Sequence, residues 1–357
     1  MKNQVPDIKI KPKRLKHLKD PKAAAKAVSL VYVNCNDEGI TRLKSGKGFR
    51  YIFKNKTLTD KDELQRIRSL VLPPAWTDVW ICAIPNGHLQ ATGKDVRGRK
   101  QYKYHPSWNA CRNQTKFFKL LELGTVLPAI RKQVSKDLSL QGLPREKVLA
   151  AVVSLMEKTG IRIGNEFYEK LYGSFGLTTL KDKHVKINGA TVHFSFKGKK
   201  GVEHEITLKS KKLANIVQNC RDIPGKELFQ YYDENGERHA IESGMVNEYL
   251  KKISGAEFTA KDLRTWCGSV AALEAFTEAG PFQSEHQAKR KIVEALDKVS
   301  ERLGNTRTVC KKYYVHPCII DLYEKGELEK WLSKKGESKT ELSAEEEILT
   351  CILKSLS

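Results

Sequence analysis

Pro144-Arg-Glu-Lys-Val-Leu-Ala-Ala-Val-Val-Ser-Leu-Met-Glu-Lys-Thr-Gly-Ile-Arg-Ile-Gly-Asn-Glu166 contains a helix and the signal that ends it. Val148, Leu149, Val152, Val153 and Met156 recur at helical spacing, and Pro144 suits a first turn. Gly160 and Gly164 bracket Arg162 at a break after the helix, where glycine lets backbone approach a ligand closely. Downstream, Val192, Phe194 and Phe196 alternate with polar residues. Val202, Ile206 and Leu208 repeat that alternation beyond Lys197-Gly-Lys-Lys-Gly201, which predicts a β-hairpin with Lys199 at its tip. Thr259 with Asp262, Ser284 with Gln287, and Ser343 with Glu346 have capping-box or near-capping-box spacing and predict further helices.

Upstream the pattern is richer in strands. Gly48–Phe53 reads as a strand and Asp60–Leu70 as a short amphipathic helix stopped by Pro73-Pro74. Val79–Ile84 and His88–Thr92 read as strands joined at Asn86-Gly87, a hairpin turn pair. The expected fold class is α+β. A basic tail over 1–24 precedes a small sheet-rich domain over 25–112. A linker over 113–125 leads to a larger, mostly helical domain with the β-hairpin over 126–357.

The chain has 357 residues and a hydrophobic fraction of 40%, enough for two cores. No apolar stretch approaches the ~20 residues that span a bilayer. The N-terminus is charged and lacks an apolar signal core, so a cytoplasmic location and no membrane partner are expected. The eight cysteines form no C-x-x-C pair, and there is no H-E-x-x-H. They read as reduced thiols without a metal. Lys plus Arg number 64 against 42 Asp plus Glu, a net charge of +22. Duplex DNA, with one negative charge per ~1.7 Å, is the economical partner for that excess. A soluble basic protein or an RNA binder has the same balance. Residues 1–22 hold eight Lys or Arg and two Asp; they read as a tail able to embrace a duplex, or as a solvated tail.

Tyr314, in Leu303-Gly-Asn-Thr-Arg-Thr-Val-Cys-Lys-Lys-Tyr-Tyr-Val-His-Pro317, is a candidate nucleophile. A phenol ordinarily titrates near ~10 and attacks phosphorus only with help from neighbouring cations. Cleaving a phosphodiester without a metal requires fixed cations on the phosphate and an acid at the leaving oxygen. Arginine suits the first task by its planar fork, and lysine the second by its adjustable pKa. Arg162, Lys199, Lys261 and Arg264 are the candidates. The i, i+3 spacing of Lys261 and Arg264 would place both on one helix face. Any of these alone is more often a solvated surface cation.

Together they stand in motifs that resemble type IB DNA topoisomerases, closest to the small poxvirus-like branch found in bacteria. The motifs are Thr159–Glu166, Gly176–Val185, Phe196-Lys-Gly-Lys199, Lys261-Asp-Leu-Arg-Thr-Trp266 and Leu303–Pro317. Upstream, Pro73-Pro-Ala-Trp76, His88-Leu-Gln-Ala-Thr-Gly93 and Arg97-Gly-Arg-Lys-Gln-Tyr-Lys-Tyr-His-Pro106 extend the resemblance, which covers roughly 30–330. It implies Tyr314 as nucleophile, Arg162 and Arg264 as phosphate clamps, and Lys199 as general acid to the 5′ oxygen. It further implies Asn305 on a nonbridging oxygen and Lys261 as an accessory cation. Many relatives carry His where Asn305 stands; an amide can donate a hydrogen bond but cannot shuttle a proton.

Tyr313 is the adjacent competitor, and the family pattern selects the tyrosine before Val-His-Pro. His316 reads as a cap before Pro317 rather than as the base for the phenol proton. Asn305 and Tyr314 are nine residues apart; one continuous helix would put them ~13.5 Å apart on opposite faces. A helix break between them, or a loop carrying Tyr314, is therefore predicted. An alternative role for Asn305 is a helix cap after Gly304.

In Arg97–His105, strand alternation would put Arg97, Arg99, Gln101, Lys103 and His105 on one donor-rich face. Gln101 there is able to read a base edge while basic side chains, Lys100 included, hold phosphates. The resemblance implicates Gln101, Tyr102 and Tyr104, which do not share a strand face, so a helical or irregular bound form is expected. The implied reaction nicks duplex DNA through a 3′-phosphotyrosyl bond, lets the duplex rotate and reseals it. The implied enzyme is a monomeric clamp around duplex DNA, associated with the nucleoid, that uses neither ATP nor cofactor. A tyrosine recombinase shares this chemistry but typically has H-x-x-R where this chain has Lys261-Asp-Leu-Arg264. A noncatalytic basic nucleic-acid-binding protein is the other alternative.

Overall fold

The computed structural model describes residues 20–333 and 341–356. Of the basic tail expected over 1–24, residues 1–19 therefore lie outside the described residues. The chain divides into two compact units, one ending at Phe118 and one running Lys119–Leu356.

The first unit is built on a six-stranded antiparallel sheet in the order β3-β2-β1-β4-β5-β6. Its strands are β1 (Gly39–Ser45), β2 (Gly48–Phe53), β3 (Lys56–Thr57), β4 (Thr77–Cys82), β5 (Leu89–Lys94) and β6 (Lys100–Tyr104). β4 and β5 flank the Asn86-Gly87 turn and pair antiparallel, as the turn pair predicts. Helix α2 (Lys61–Ser69) starts where Asp60 accepts the Glu63 amide at 2.8 Å, satisfying a first-turn donor. Its Ile67 packs with Ile40, Val79, Ile81 and Ala91 in one core. Buried Arg42 reaches from β1 to the carbonyls of Pro73 (3.0 Å) and Trp76 (2.7 Å), which pins the Pro-Pro loop. Helix α1 (Pro21–Ala27) packs Ala24 and Ala25 against Trp108 and Cys111 in a second cluster.

Helix α3 (Pro106–Asp137) includes the whole stretch 113–125, for which the sequence suggests a linker. The boundary between the two units falls inside that stretch, at Phe118 and Lys119, and the connection there is helical. Leu120, Leu123 and Leu127 recur at helical spacing and are fully buried, so burial rather than chain flexibility governs the stretch.

The second unit begins within that helix. Helix α4 (Arg145–Thr159) is buried on nearly every side from Val148 to Met156. Each large apolar side chain there contributes about 1.5–3 kcal/mol, an upper estimate. Gly160 ends it in the left-handed conformation, φ 66°. Short helix α5 (Glu166–Tyr172) follows. Next is a three-stranded sheet of β7 (Val185–Asn188), β8 (Thr191–Lys197) and β9 (Glu203–Lys209). In β9 the inward positions are His204, Ile206 and Leu208, whereas Val202 is exposed. A count of apolar residues alone therefore passes over the most buried member of the strand.

Helix α6 (Lys211–Arg221), the two-stranded ribbon β10 (Gln230–Tyr232) and β11 (Arg238–Ala240), and helix α7 (Ser243–Ser254) come next. Helix α8 (Ala260–Ala279) carries the Thr259–Asp262 capping box and is buried along most of its length. Helices α9 (Glu285–Leu303), α10 (Arg307–Tyr313), α11 (Pro317–Glu324), α12 (Glu329–Leu332) and α13 (Ala344–Ser355) complete the unit. α13 packs on α8, where Trp266 donates its indole N–H to Glu346 at 2.9 Å. None of the eight cysteines is in a disulfide, and no described helix is long and apolar enough to cross a membrane.

Candidate active site

The site is assembled on α8. Arg264 and the Gly268-Ser269 pair lie about one turn apart on this helix, all three buried. A Cβ at Gly268 would stand 2.7 Å from the Tyr314 carbonyl oxygen and 2.9 Å from its Cβ; only a missing side chain allows that approach. The Ser269 hydroxyl donates to the same carbonyl at 3.2 Å and accepts the His316 amide at 3.1 Å. With its backbone held there, Tyr314 lies with its ring centroid 5.2 Å from the Arg264 guanidinium carbon, a cation–π distance. Sequence reasoning missed Ser269; its only signal is the Gly268-Ser269 pair inside the helix.

The predicted break between Asn305 and Tyr314 is present. α9 stops at Leu303, Gly304 takes φ 55°, and Thr306 opens α10 by accepting the Val309 amide. Tyr314 is the residue that ends α10, outside regular helix at φ −127° and ψ −20°. Asn305 does not cap α10, since Thr306 does.

Both arginines converge on this break. Arg264, 3% exposed, donates to the Leu303 carbonyl at 2.9 Å. Its Nε and Nη1 are buried without a hydrogen-bond partner of good geometry. Arg162 donates to the Gly304 carbonyl at 3.2 Å and to Asn305 Oδ1 at 2.5 Å. Burial and the charge of Arg264 lower the pKa of Arg162, while Tyr314 opposes the shift. Burial also lowers that of Arg264, while the charge of Tyr314 and a side-chain hydrogen bond with it favour the charged form. Two buried cations side by side are costly unless an anion joins them.

Four sequence candidates are thus gathered: Arg162, Arg264, Asn305 and Tyr314. Two are not. Lys199 is exposed on the hairpin tip with its ammonium 5.6 Å from the Tyr168 ring centroid. Lys261 sits exposed in the first turn of α8 while Arg264 is buried, so the shared face read from their spacing does not give them a shared environment. Tyr313 is 38% exposed. His316 accepts the Cys318 amide at 3.2 Å and caps α11; burial lowers its pKa to about 4.

His204 is a second residue that sequence reasoning missed. Its ring stacks on Phe196 at 4.9 Å, and its pKa falls to about 4 through burial and the charges of Arg162 and Arg264.

In the first unit, Lys100–Tyr104 forms strand β6. Tyr102 and Tyr104 stack at 5.9 Å, with the Lys100 ammonium 5.8 Å from the Tyr102 ring and Arg112 5.6 Å from that of Tyr104. Gln101 instead donates to Asp95 at 3.0 Å. Asp95 organises the preceding turn by accepting the Arg97 and Arg99 amides and the Arg99 side chain, and the Arg99 hydrogen bond lowers its pKa to about 2. Lys100 and the two tyrosines therefore share one face and Gln101 takes the other, as a period of two requires.

The family described as eukaryotic DNA topoisomerase I, catalytic core, matches residues 105–342, a span that contains every residue of this site. This chain belongs to the type IB DNA topoisomerase family. The bacterial DNA topoisomerase IB N-terminal domain matches residues 48–95. DNA topoisomerase 1B of Acanthamoeba polyphaga mimivirus is 31% identical over 296 residues, 80% of this chain and 88% of the relative. DNA topoisomerase 1B of Vaccinia virus (strain Copenhagen) is 24% identical over 278 residues, 76% and 85% of the two chains. Among solved structures, a XerH site-specific recombinase bound to a palindromic difH substrate aligns with a TM-score of 0.35 at 14% identity, covering 54% of this chain and 47% of that one. As a type IB topoisomerase the chain is an enzyme whose partner is DNA.

Proposed function

We propose that Tyr314, its phenol proton passing to water under the field of the arginines, attacks a backbone phosphorus of duplex DNA, forming a 3′-phosphotyrosyl bond as the 5′ oxygen leaves. Arg162 and Arg264 hold the nonbridging oxygens, and Asn305, oriented by Arg162, donates its amide N–H to one of them. The protonated Lys199 ammonium swings from Tyr168 on the hairpin tip and gives a proton to the departing 5′ oxygen. Lys261 supports the leaving strand as an accessory cation. The ester conserves bond energy, so the freed hydroxyl can reverse the attack after the duplex has rotated, and neither ATP nor a cofactor enters the balance. The observation that carries this reading is the buried Arg264 beside the half-buried Tyr314, with two donors that lack a good acceptor. A phosphate placed there supplies the acceptors and neutralises the adjacent cations.

In the same reading, Arg97, Arg99, Lys100, Gln101, Tyr102 and Tyr104 contact the duplex from the first unit. The enzyme works as a monomeric clamp in the bacterial cytoplasm, at the nucleoid. Supercoiled plasmid incubated with the chain in EDTA without ATP should relax. Tyr314→Phe should abolish relaxation and the covalent protein–DNA adduct, whereas Tyr313→Phe should retain both. Loss in Tyr313→Phe with retention in Tyr314→Phe would transfer the role to the neighbour, and DNA binding without relaxation by the native chain would favour a noncatalytic protein.

A further inference from the structure

His204 belongs to none of the catalytic tasks assigned above, yet its ring lies between the Lys199-bearing hairpin tip and the Gly304–Asn305 turn. Its relative exposure is 8%, and it stands opposite Phe196 in the β8–β9 register. The two rings stack at an interplanar angle of 12°. One edge of the imidazole lies against the hairpin tip: a Cβ at Gly198 would come within 2.6 Å of its Cδ2 and Nε2. The adjoining edge, which shares Nε2, lies against the helix break, where a Cβ at Gly304 would overlap the ring at Cε1 and Nε2. Gly198 precedes Lys199, and its amide closes the tip by donating to the Val202 carbonyl at 2.7 Å. Gly304 precedes Asn305, and its carbonyl accepts from Arg162. Both neighbours lack a side chain where the ring passes, so the imidazole fills the gap between the tip and the break.

We infer that His204 is a positioning residue that sets the Lys199-bearing hairpin tip against the Gly304–Asn305 turn, so that Lys199 is delivered to the leaving oxygen. The ring has the properties of a spacer. It is flat, it is held on Phe196, and burial beside two arginines keeps it uncharged at neutral pH. Without it, the link between β9 and the break is a void, and the tip loses the surface that limits its swing. Lys199 at its resting place over Tyr168 then has more positions from which no proton reaches the DNA, and an acid displaced by even ~1 Å loses much of its effect.

This inference rests on the acid role proposed for Lys199, and leaving-group chemistry separates the two. Single-turnover cleavage is measured on a duplex with an ordinary 5′ oxygen at the scissile bond and on one with sulfur in that position. The thiolate departs without a proton, so an acid defect disappears on the sulfur substrate. His204→Ala should slow cleavage of the oxygen ester about 10-fold or more, part of the 10²–10⁴-fold that general acids contribute. On the sulfur substrate it should cleave within about two-fold of the native enzyme, because the nucleophile and arginines are unaffected. Phe196→Leu, which removes the ring beneath His204 but keeps an apolar side chain, should show the same pattern more weakly and serves if His204→Ala does not fold. Equal slowing on both substrates, or no slowing on either, overturns the inference. Lys199→Ala is the reference. If sulfur does not rescue it, the acid assignment fails, and the inference about His204 falls with it for a reason visible in that variant alone.

Discussion

At the scale of single residues, Arg264 is the most constrained member of the site. Its guanidinium is buried and anchored at one nitrogen to the Leu303 carbonyl, while Nε and Nη1 lack a well-aligned acceptor. In the proposed reaction those donors act mainly where charge develops on phosphorus, so Arg264→Ala should cost about 3 kcal/mol, roughly 10²-fold in single-turnover cleavage. Duplex affinity, carried by many phosphate contacts, should change little. An equal loss of affinity and cleavage rate would mean that Arg264 binds ground state and transition state alike. Residue identity was legible for Arg162, Arg264, Asn305 and Tyr314, because recognisable motifs surround each. Ser269 and His204 were not legible: each acts through what it touches, and neither a small residue in a helix nor a histidine in a strand announces its neighbours.

At the scale of elements, α8 and α13 are joined by a buried charged network. Glu346 accepts from Trp266 Nε1 and from Arg131, and Arg131 also pairs with Glu157. Burial raises the pKa of Glu346, but hydrogen bonds from Arg131, the Ser343 amide and Trp266 outweigh it and the net shift is downward. A carboxyl depressed in the folded state stabilises the fold fully above its unfolded value of about 4.3, and that stability is lost as pH falls through the folded value. Glu346→Gln should therefore destabilise the second unit by about 3 kcal/mol near neutrality, as removal of one partner from a buried network does. Thermal melts of the two proteins should converge in acid. A gap that persists unchanged below the carboxylate range would refute the electrostatic account. The Ser343–Glu346 capping box was readable from its spacing, and it is seen. That the same carboxylate also holds α8 was not, because the partners Trp266 and Arg131 are remote in sequence.

At the scale of the whole molecule, the net charge of +22 makes DNA affinity a matter of counterion release. Residues 1–19 carry much of the local excess of Lys and Arg over Asp. Deleting them should leave single-turnover cleavage unchanged and make the dependence of log Kobs on log salt shallower, by about 0.9 for each duplex phosphate that the tail no longer neutralises. The deletion should also lower the salt concentration at which plasmid relaxation fails. An unaltered slope would mean that the tail is merely solvated.

Local pattern in the chain was sufficient for the capped helices, the β8–β9 hairpin, the Asn86-Gly87 turn and the need for a break before Tyr314, since backbone geometry and side-chain period act over a few residues. It did not show that 113–125, where the two units part, is helical, and it put Lys261 and Arg264 on one face without showing that only the arginine is buried. Which side chains converge was settled by packing alone. Gly268 brings Tyr314 onto α8, Gly304 and Gly198 admit the His204 ring, and two arginines about a hundred positions apart in the chain lie together because α4, α8 and α9 bury their apolar faces against one another. Proximity of that kind is a product of long-range burial, which no window of sequence contains.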